Sequence, residues 1–304
     1  MFSSAVSDEA LFSTVISRFK HILICASDPG GAEVLSSWTK QQAQNFDYLL
    51  SGPALEIFKR KIPGISTLIK PEEINHELVI SSLGWQTDFE FEILSMASNS
   101  GAKVAIFLDH YGSYRLSRKS KAIKVDWVIA FDQISQEKAM NEISGATILR
   151  IPNLYEREII KKISGIKQST SVENEILFLT EPNIENGEYG DLDSLVFLFE
   201  LLRKSKMLNI SILIRLHPSE EIDKYIDSIP SDFTSVRFSK GRTLDYDIGT
   251  SNYVVGCYTT ALRIAYISGR PVFSALRRPP RDIETVPYVP LTNLVNMLGD
   301  LIDQ

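Results

Sequence analysis

The chain has 304 residues, 44% of them hydrophobic and 23% charged, with a formal net charge of −6 at pH 7. That length predicts two domains of roughly 150 residues each, with cores of their own. The acidic balance argues against broad nucleic-acid binding, which needs a basic surface. No apolar run reaches the ~18 residues that span a bilayer, and the N-terminus lacks the basic-then-apolar pattern of a signal peptide. Two cysteines, Cys25 and Cys257, lie beside apolar strand residues and are read as small core residues of a reduced cytoplasmic protein. Two basic groups stand out: Arg115, Arg118, Lys119, Lys121 and Lys124, then Arg277, Arg278 and Arg281. They are either solvated surface or contacts for an anionic substrate or a membrane, so peripheral association with the inner face of the membrane stays open.

Short apolar runs alternate with amphipathic ones, the pattern of an α/β fold with parallel sheets. In the first half, strands are expected at His21–Ala26, Phe46–Leu50, Leu78–Ser82, Lys103–Leu108, Asp126–Phe131 and Thr147–Ile151. Helices are expected at Gly31–Gln42, Thr87–Ser100 and Ser135–Ile143, with Thr87 or Asp88 capping the second. A charged helix follows at Tyr155–Ile163, then a polar linker at 165–171. The second half repeats the alternation. Its strands are expected at Glu175–Leu179, Ile210–Leu216, Ser235–Phe238, Asn252–Val255 and Pro271–Phe273. Its helices are expected at Leu192–Lys204, Glu220–Ile226, Thr260–Ser268 and Leu291–Ile302, the last able to pack back across the first half. The reading is two Rossmann-like domains, residues 1–165 and 166–304. The active site is expected in the cleft between them, because ligands bind at the carboxyl ends of parallel strands.

Several strand ends carry chemistry-bearing residues. Ile212-Leu213-Ile214-Arg215-Leu216-His217-Pro218 reads as a buried strand ending on a histidine, with Arg215 on the same face as His217. Pro218 ends the ladder and leaves the imidazole at the rim. Downstream, Gly256-Cys257-Tyr258-Thr259-Thr260 is a turn carrying hydroxyls before a helix. Such hydroxyls either cap their own helix or join its N–H groups in holding a phosphate. Thr180 and Glu181 end another strand, where loops contact a ribose or a base. In the first half, Asp28-Pro29-Gly30-Gly31 opens a helix, and Asp28 is either a general base or a turn cap. The glycine spacing is not a dinucleotide fingerprint. Asp109 ends a strand as a second candidate base, with Arg115 and Arg118 nearby for an anionic group. Gly84 and Trp85 follow a third strand, where Trp85 either packs or stacks on a sugar. Asp245-Tyr246-Asp247 has the form of a metal-binding D-x-D motif but falls in a short helix and reads as surface or capping. No cluster has metal-ligand spacing, and no cofactor is expected.

The two halves, the His217-Pro218 strand end and the hydroxyl pair before a helix resemble the GT-B glycosyltransferases of bacterial surface polysaccharides. The resemblance is to the sialyltransferase, polysialyltransferase and capsule Kdo-transferase group. It implies an inverting, metal-independent transfer from a nucleotide-activated sugar, with CMP-sugars favoured, to a glycan or glycoconjugate acceptor. It also implies that His217 holds and protonates the leaving phosphate, with Thr259 and Thr260 beside it. The acidic-acidic-glycine motif that carries the base in those enzymes has no match in the first half; Glu185-Asn186-Gly187 lies in the second. Asp28 and Asp109 therefore both stand as bases. Non-hydrolysing UDP-sugar 2-epimerases share the architecture and the His-Pro strand end, but their acidic and glycine-rich helix start is replaced here by Tyr258-Thr259-Thr260, so they form the alternative. A non-catalytic nucleotide-sugar-binding protein is the third reading.

Overall fold

Strands built from runs such as Ile22-Leu23-Ile24-Cys25-Ala26 have no polar face, so both faces need covering, and crossover helices supply the cover. The computed structural model describes residues 7–65, 70–71, 74–84, 87–109, 111, 123–166, 174–181, 191–257, 259–277, 286 and 288–302. They form two compact units, Met1–Tyr155 and Glu156–Gln304.

The first unit contains a parallel sheet of β1 (Ile22–Ala26), β2 (Asp47–Leu50), β3 (Leu78–Ser81), β4 (Lys103–Phe107), β5 (Trp127–Ala130) and β6 (Thr147–Arg150). The strand order is β2-β1-β3-β4-β5-β6. Its helices are α1 (Asp8–Ile16), α2 (Pro29–Thr39), α3 (Pro53–Lys61), α4 (Phe89–Ser100) and α5 (Gln133–Glu142). The period-2 alternation of strand side chains divides each strand between two cores. Ile22, Ile24, Ile80 and Phe107 pack on one face with Leu35 and Trp38 of α2. Leu23, Cys25, Val79 and Ile106 pack on the other with Ile93 and Leu94 of α4.

Helix α1 has no counterpart in the sequence reading, because only Phe12 and Ile16 of this short segment supply a core-facing repeat. Both are fully buried, and Ser7 caps the helix by accepting from the Ala10 N–H. The Phe12 ring lies 5.8 Å from that of Trp38, 6.0 Å from Phe107 and 6.4 Å from Trp127.

The second unit begins in α6 (Leu154–Gly165) and contains β7 (Glu175–Leu179), β8 (Ser211–Arg215), β9 (Val236–Phe238), β10 (Tyr253–Gly256) and β11 (Val272–Ser274). These pair in parallel in the order β11-β10-β7-β8-β9. The remaining helices are α7 (Asp191–Lys204), α8 (Asp223–Ile226), α9 (Leu244–Thr250), α10 (Thr260–Ile267) and α11 (Leu291–Ile302). The sequence reading places residues 154–165 in the first domain. In the structure Glu156 of α6 pairs with Arg263 of α10, which ties that helix to the second unit. The terminal helix α11 buries Leu291, Leu294 and Leu298 in the second core, against Phe199 and Phe273. No helix among the described residues is long and apolar enough to cross a membrane.

Replacing Phe12 with Ala removes a large buried ring from between three aromatic neighbours. It is expected to cost about 3–5 kcal/mol. Urea unfolding measures this as a lower midpoint, and an unchanged midpoint would show that α1 contributes nothing to the first core.

Candidate active site

In an open parallel sheet, loops leave on opposite faces where the strand order reverses, and a crevice opens there at the carboxyl edge. The reversal falls between β1 and β3 in the first sheet and between β7 and β10 in the second. The chemistry-bearing residues follow the strands at these reversals and their immediate neighbours β4 and β8.

In the second unit, Gly256, Leu179 and Arg215 stand level at the ends of three neighbouring strands. Thr180 therefore follows the central strand, with His217 after β8 on one side and Thr259 after β10 on the other. Thr180 is buried, whereas His217, Thr259 and Thr260 are each partly exposed. Thr259 is the N-cap of α10, and its Oγ1 accepts from the Ala261 N–H at 3.3 Å. The capping reading thus holds for Thr259, while Thr260 occupies the first turn of the same helix.

His217 is held at both its backbone and its ring. The Ser219 N–H points at Nδ1 from 3.2 Å, and Ser219 Oγ lies 2.7 Å from the same nitrogen. A backbone N–H can only donate, so Nδ1 accepts and the proton of the neutral ring sits on Nε2. The His217 N–H donates to Thr180 Oγ1 at 2.8 Å, and that hydroxyl donates to Glu220 at 2.6 Å. Glu220 also accepts from Tyr225 at 2.6 Å and pairs with Lys224. Burial on its own would raise the Glu220 carboxyl. The donors from Lys224, Thr180 and Tyr225 outweigh burial and hold it below the ordinary carboxylate range. The sequence reading missed Glu220; its signal was a carboxylate three residues after His217, with Lys224 and Tyr225 close by in sequence and Thr180 brought in from the end of β7.

Arg215, an expected donor-binding residue, is held by an ion pair within its own unit. Its guanidinium donates to Asp247 at 2.6 Å and to the Arg242 carbonyl at 3.1 Å. The same-face argument holds only while the chain stays a strand, and β8 ends at Arg215. Asp247 is fully buried rather than on the surface, because that guanidinium compensates its charge.

In the first unit, helix α2 starts at Pro29, and Asp28 is its N-cap, accepting from the Gly30 N–H at 3.1 Å. A Cβ on Gly30 would stand 2.8 Å from Asp109 Oδ2 and 3.6 Å from Asp28 Oδ1. The two candidate bases thus converge on one glycine, whose missing side chain leaves room for both. Asp28 is buried, Asp109 partly exposed. Gly31 is pressed against Ser82 of the next strand end, where a Cβ would overlap the serine side chain. Gly84 packs in the same way, with Asp28 Cβ 2.6 Å from where its own Cβ would be. A second carboxylate missed in the sequence, Glu90, lies fully buried beneath this group.

His110, Trp85, Arg115, Arg118, Lys119, Lys121, Tyr258, Arg278, Arg281 and the Glu185-Asn186-Gly187 string fall outside the described residues.

Because Glu220 titrates below its unfolded value, its contribution to stability is present above the ordinary carboxylate pKa of ~4.3 and is lost as pH falls through the folded value. The melting-temperature gap between the wild type and Glu220→Gln is therefore expected to be widest near neutral pH and to close on acidification. A gap that does not change with pH would show that the carboxylate charge does not anchor the His217 loop.

No family model matches the sequence, and no curated protein matches it. Similarity appears with solved structures. The UDP-GlcNAc 2-epimerase from Neisseria meningitidis bound to UDP-GlcNAc aligns at TM-score 0.65 and 15% identity, over 93% of this chain and 91% of that one. The Methanocaldococcus jannaschii UDP-GlcNAc 2-epimerase, in complex with UDP-GlcNAc and UDP, aligns at 0.67 and 11% identity, over 93% of each chain. The wall teichoic acid polymerase TagF aligns at 0.52 and 13% identity, over 97% of this chain and 84% of that one. At these identities the likeness is one of fold, and the chain has the GT-B architecture of two Rossmann-like domains.

Proposed function

We propose that the protein is an enzyme acting on a nucleotide-activated sugar, and that its reaction is the 2-epimerisation of a UDP-sugar. The observation that carries this reading is the pair of carboxylates, Asp28 and Asp109, over Gly30. Inverting C2 of a sugar requires a proton to leave from one face and another to arrive on the opposite face. Two proton-handling groups are therefore needed, where transfer to an acceptor needs one base. Asp109, partly exposed, takes the C2 proton as the C1–O bond to the nucleotide breaks and a C1=C2 bond forms. Asp28 is the second group, for the return step in which a proton is delivered to the opposite face of C2 and the nucleotide oxygen rebonds to C1.

The nucleotide phosphates belong with the second unit. As the bond from C1 to the nucleotide oxygen loosens, negative charge builds on the phosphate. The Nε2–H of His217, the Thr260 hydroxyl and the first turn of α10 are donors of the type that stabilises such charge. Glu181 and the backbone of Pro218 belong to the same rim. UDP is placed ahead of CMP because similar folds have been solved with UDP-GlcNAc and UDP bound.

Glycosyl or related group transfer is the second reading. The resemblance to TagF over 97% of this chain and the His217–Thr259–Thr260 combination favour it. It keeps the phosphate site and uses Asp109 alone as the base for an acceptor hydroxyl.

Incubation with UDP-GlcNAc in deuterated water, followed by NMR, separates the two. Epimerisation is expected to give the C2 epimer with deuterium at C2 and no acceptor required. His217→Ala is expected to lower kcat by on the order of 10²-fold, and Asp109→Asn to stop deuterium uptake. Product formed only with a glycan acceptor, and insensitive to chelator, would replace this reading with transfer. Nucleotide binding without turnover of any donor would leave a binding protein.

A further inference from the structure

Glu90 lies in the first turn of α4 and is fully buried. Among the described residues its three hydrogen bonds come from the turn that carries Asp28. Oε1 accepts from the Ser27 N–H at 2.6 Å and from the Asp28 N–H at 3.0 Å. Oε2 accepts from Ser27 Oγ at 2.9 Å. Ser27 has one hydroxyl proton, so the Thr87 hydroxyl, 3.0 Å from it, donates back. The helix N-terminus supports the buried charge. Burial first, and the Glu90 carboxylate second, push the Cys25 thiol up.

The loop on the other side is shaped to meet this group. Leu83 is held in the left-handed region at φ 51°, an uncommon conformation for a non-glycine residue, with its side chain in the core. That turn lays Gly84 flat against Asp28 and Glu90. A Cβ there would lie 2.6 Å from Asp28 Cβ and 2.9 Å from Glu90 Oε1. Ser27 and Asp28 are thus clamped from below by a carboxylate and from the side by bare backbone.

We infer that Glu90 is a positioning residue: it fixes the Ser27–Asp28 turn so that the Asp28 carboxylate stands against Asp109 over Gly30. Glu90 itself touches no reacting atom. The inference rests on the epimerase reading only for its kinetic test, since the clamp exists whatever the substrate.

Three variants separate positioning by shape from action through charge. Glu90→Gln places its carbonyl where Oε1 accepts both N–H groups, and its amide donates to Ser27 Oγ. It is expected to keep kcat within about tenfold of wild type. Glu90→Ala, where folded by circular dichroism, is expected to lose on the order of 10²-fold in kcat with KM within threefold. Gly84→Ala drives a methyl group into the clamp and is expected to match Glu90→Ala, which keeps the test alive if that variant does not fold. Equal losses in Glu90→Gln and Glu90→Ala, or wild-type kcat in a folded Gly84→Ala, overturn the inference.

Hydrogen exchange of the Ser27 and Asp28 amides gives a readout free of any substrate. Strong protection is expected in the wild type and Glu90→Gln, and its loss at these two positions alone in Glu90→Ala. Retained protection there overturns the clamp. If no nucleotide sugar turns over but protection follows this pattern, the epimerase reading fails and the clamp stands.

Discussion

Two parallel strands cannot be joined by a tight turn; each must be followed by a crossover that returns the chain to the starting edge. In both sheets every strand pair is parallel, so every loop that follows a strand opens at the same edge. The reversals of strand order, at β1/β3 and β7/β10, then choose which of those loops border a crevice. Asp28, Gly84 and Asp109 follow β1, β3 and β4, while Thr180, His217 and Thr259 follow β7, β8 and β10. The placement of the chemistry is a consequence of backbone pairing, and side chains at those loops inherit it.

The loops so placed are anchored by buried carboxylates. Glu90 and Asp247 are buried and the Glu220 side chain is largely shielded, and each is compensated by donors from a site loop or from the strand that feeds it. An uncompensated buried charge is costly, so breaking any one set of donors carries a penalty well above that of a surface hydrogen bond. That penalty makes the loops stiff. A stiff loop keeps a general base and a phosphate donor in place without reorganisation during the reaction. The glycines serve the same end by removing bulk: Gly30 and Gly84 stand where a single methyl group would displace a carboxylate.

The legible parts of the sequence were those with a local cause. Apolar runs such as Ile212-Leu213-Ile214 announce strands because a parallel strand buries both faces, and each of the eleven expected strand segments overlaps a strand of the structure. Even the short β9 shows its pattern. Helix α1 escaped because its two core residues are too few to make a period, and its stability comes from Trp38, Phe107 and Trp127, far along the chain. The Arg215–Asp247 ion pair was not legible, because Asp247 belongs to a helix 32 residues further along the chain. Glu90 and Glu220 looked like ordinary helix-surface acids, since a buried charge and an exposed one have the same letter.

The sequence alone determined the alternation of strands and helices, the His217-Pro218 strand end and the hydroxyls that open α10, because strand burial, proline geometry and helix capping act within a few residues. Only the tertiary structure decided that Asp28 and Asp109 share one glycine, that Arg215 is committed to Asp247, and that Glu90 underlies the Asp28 turn. Those outcomes depend on strand order and on which side chains lose their water. Both are properties of the assembled sheet and not of any stretch of chain.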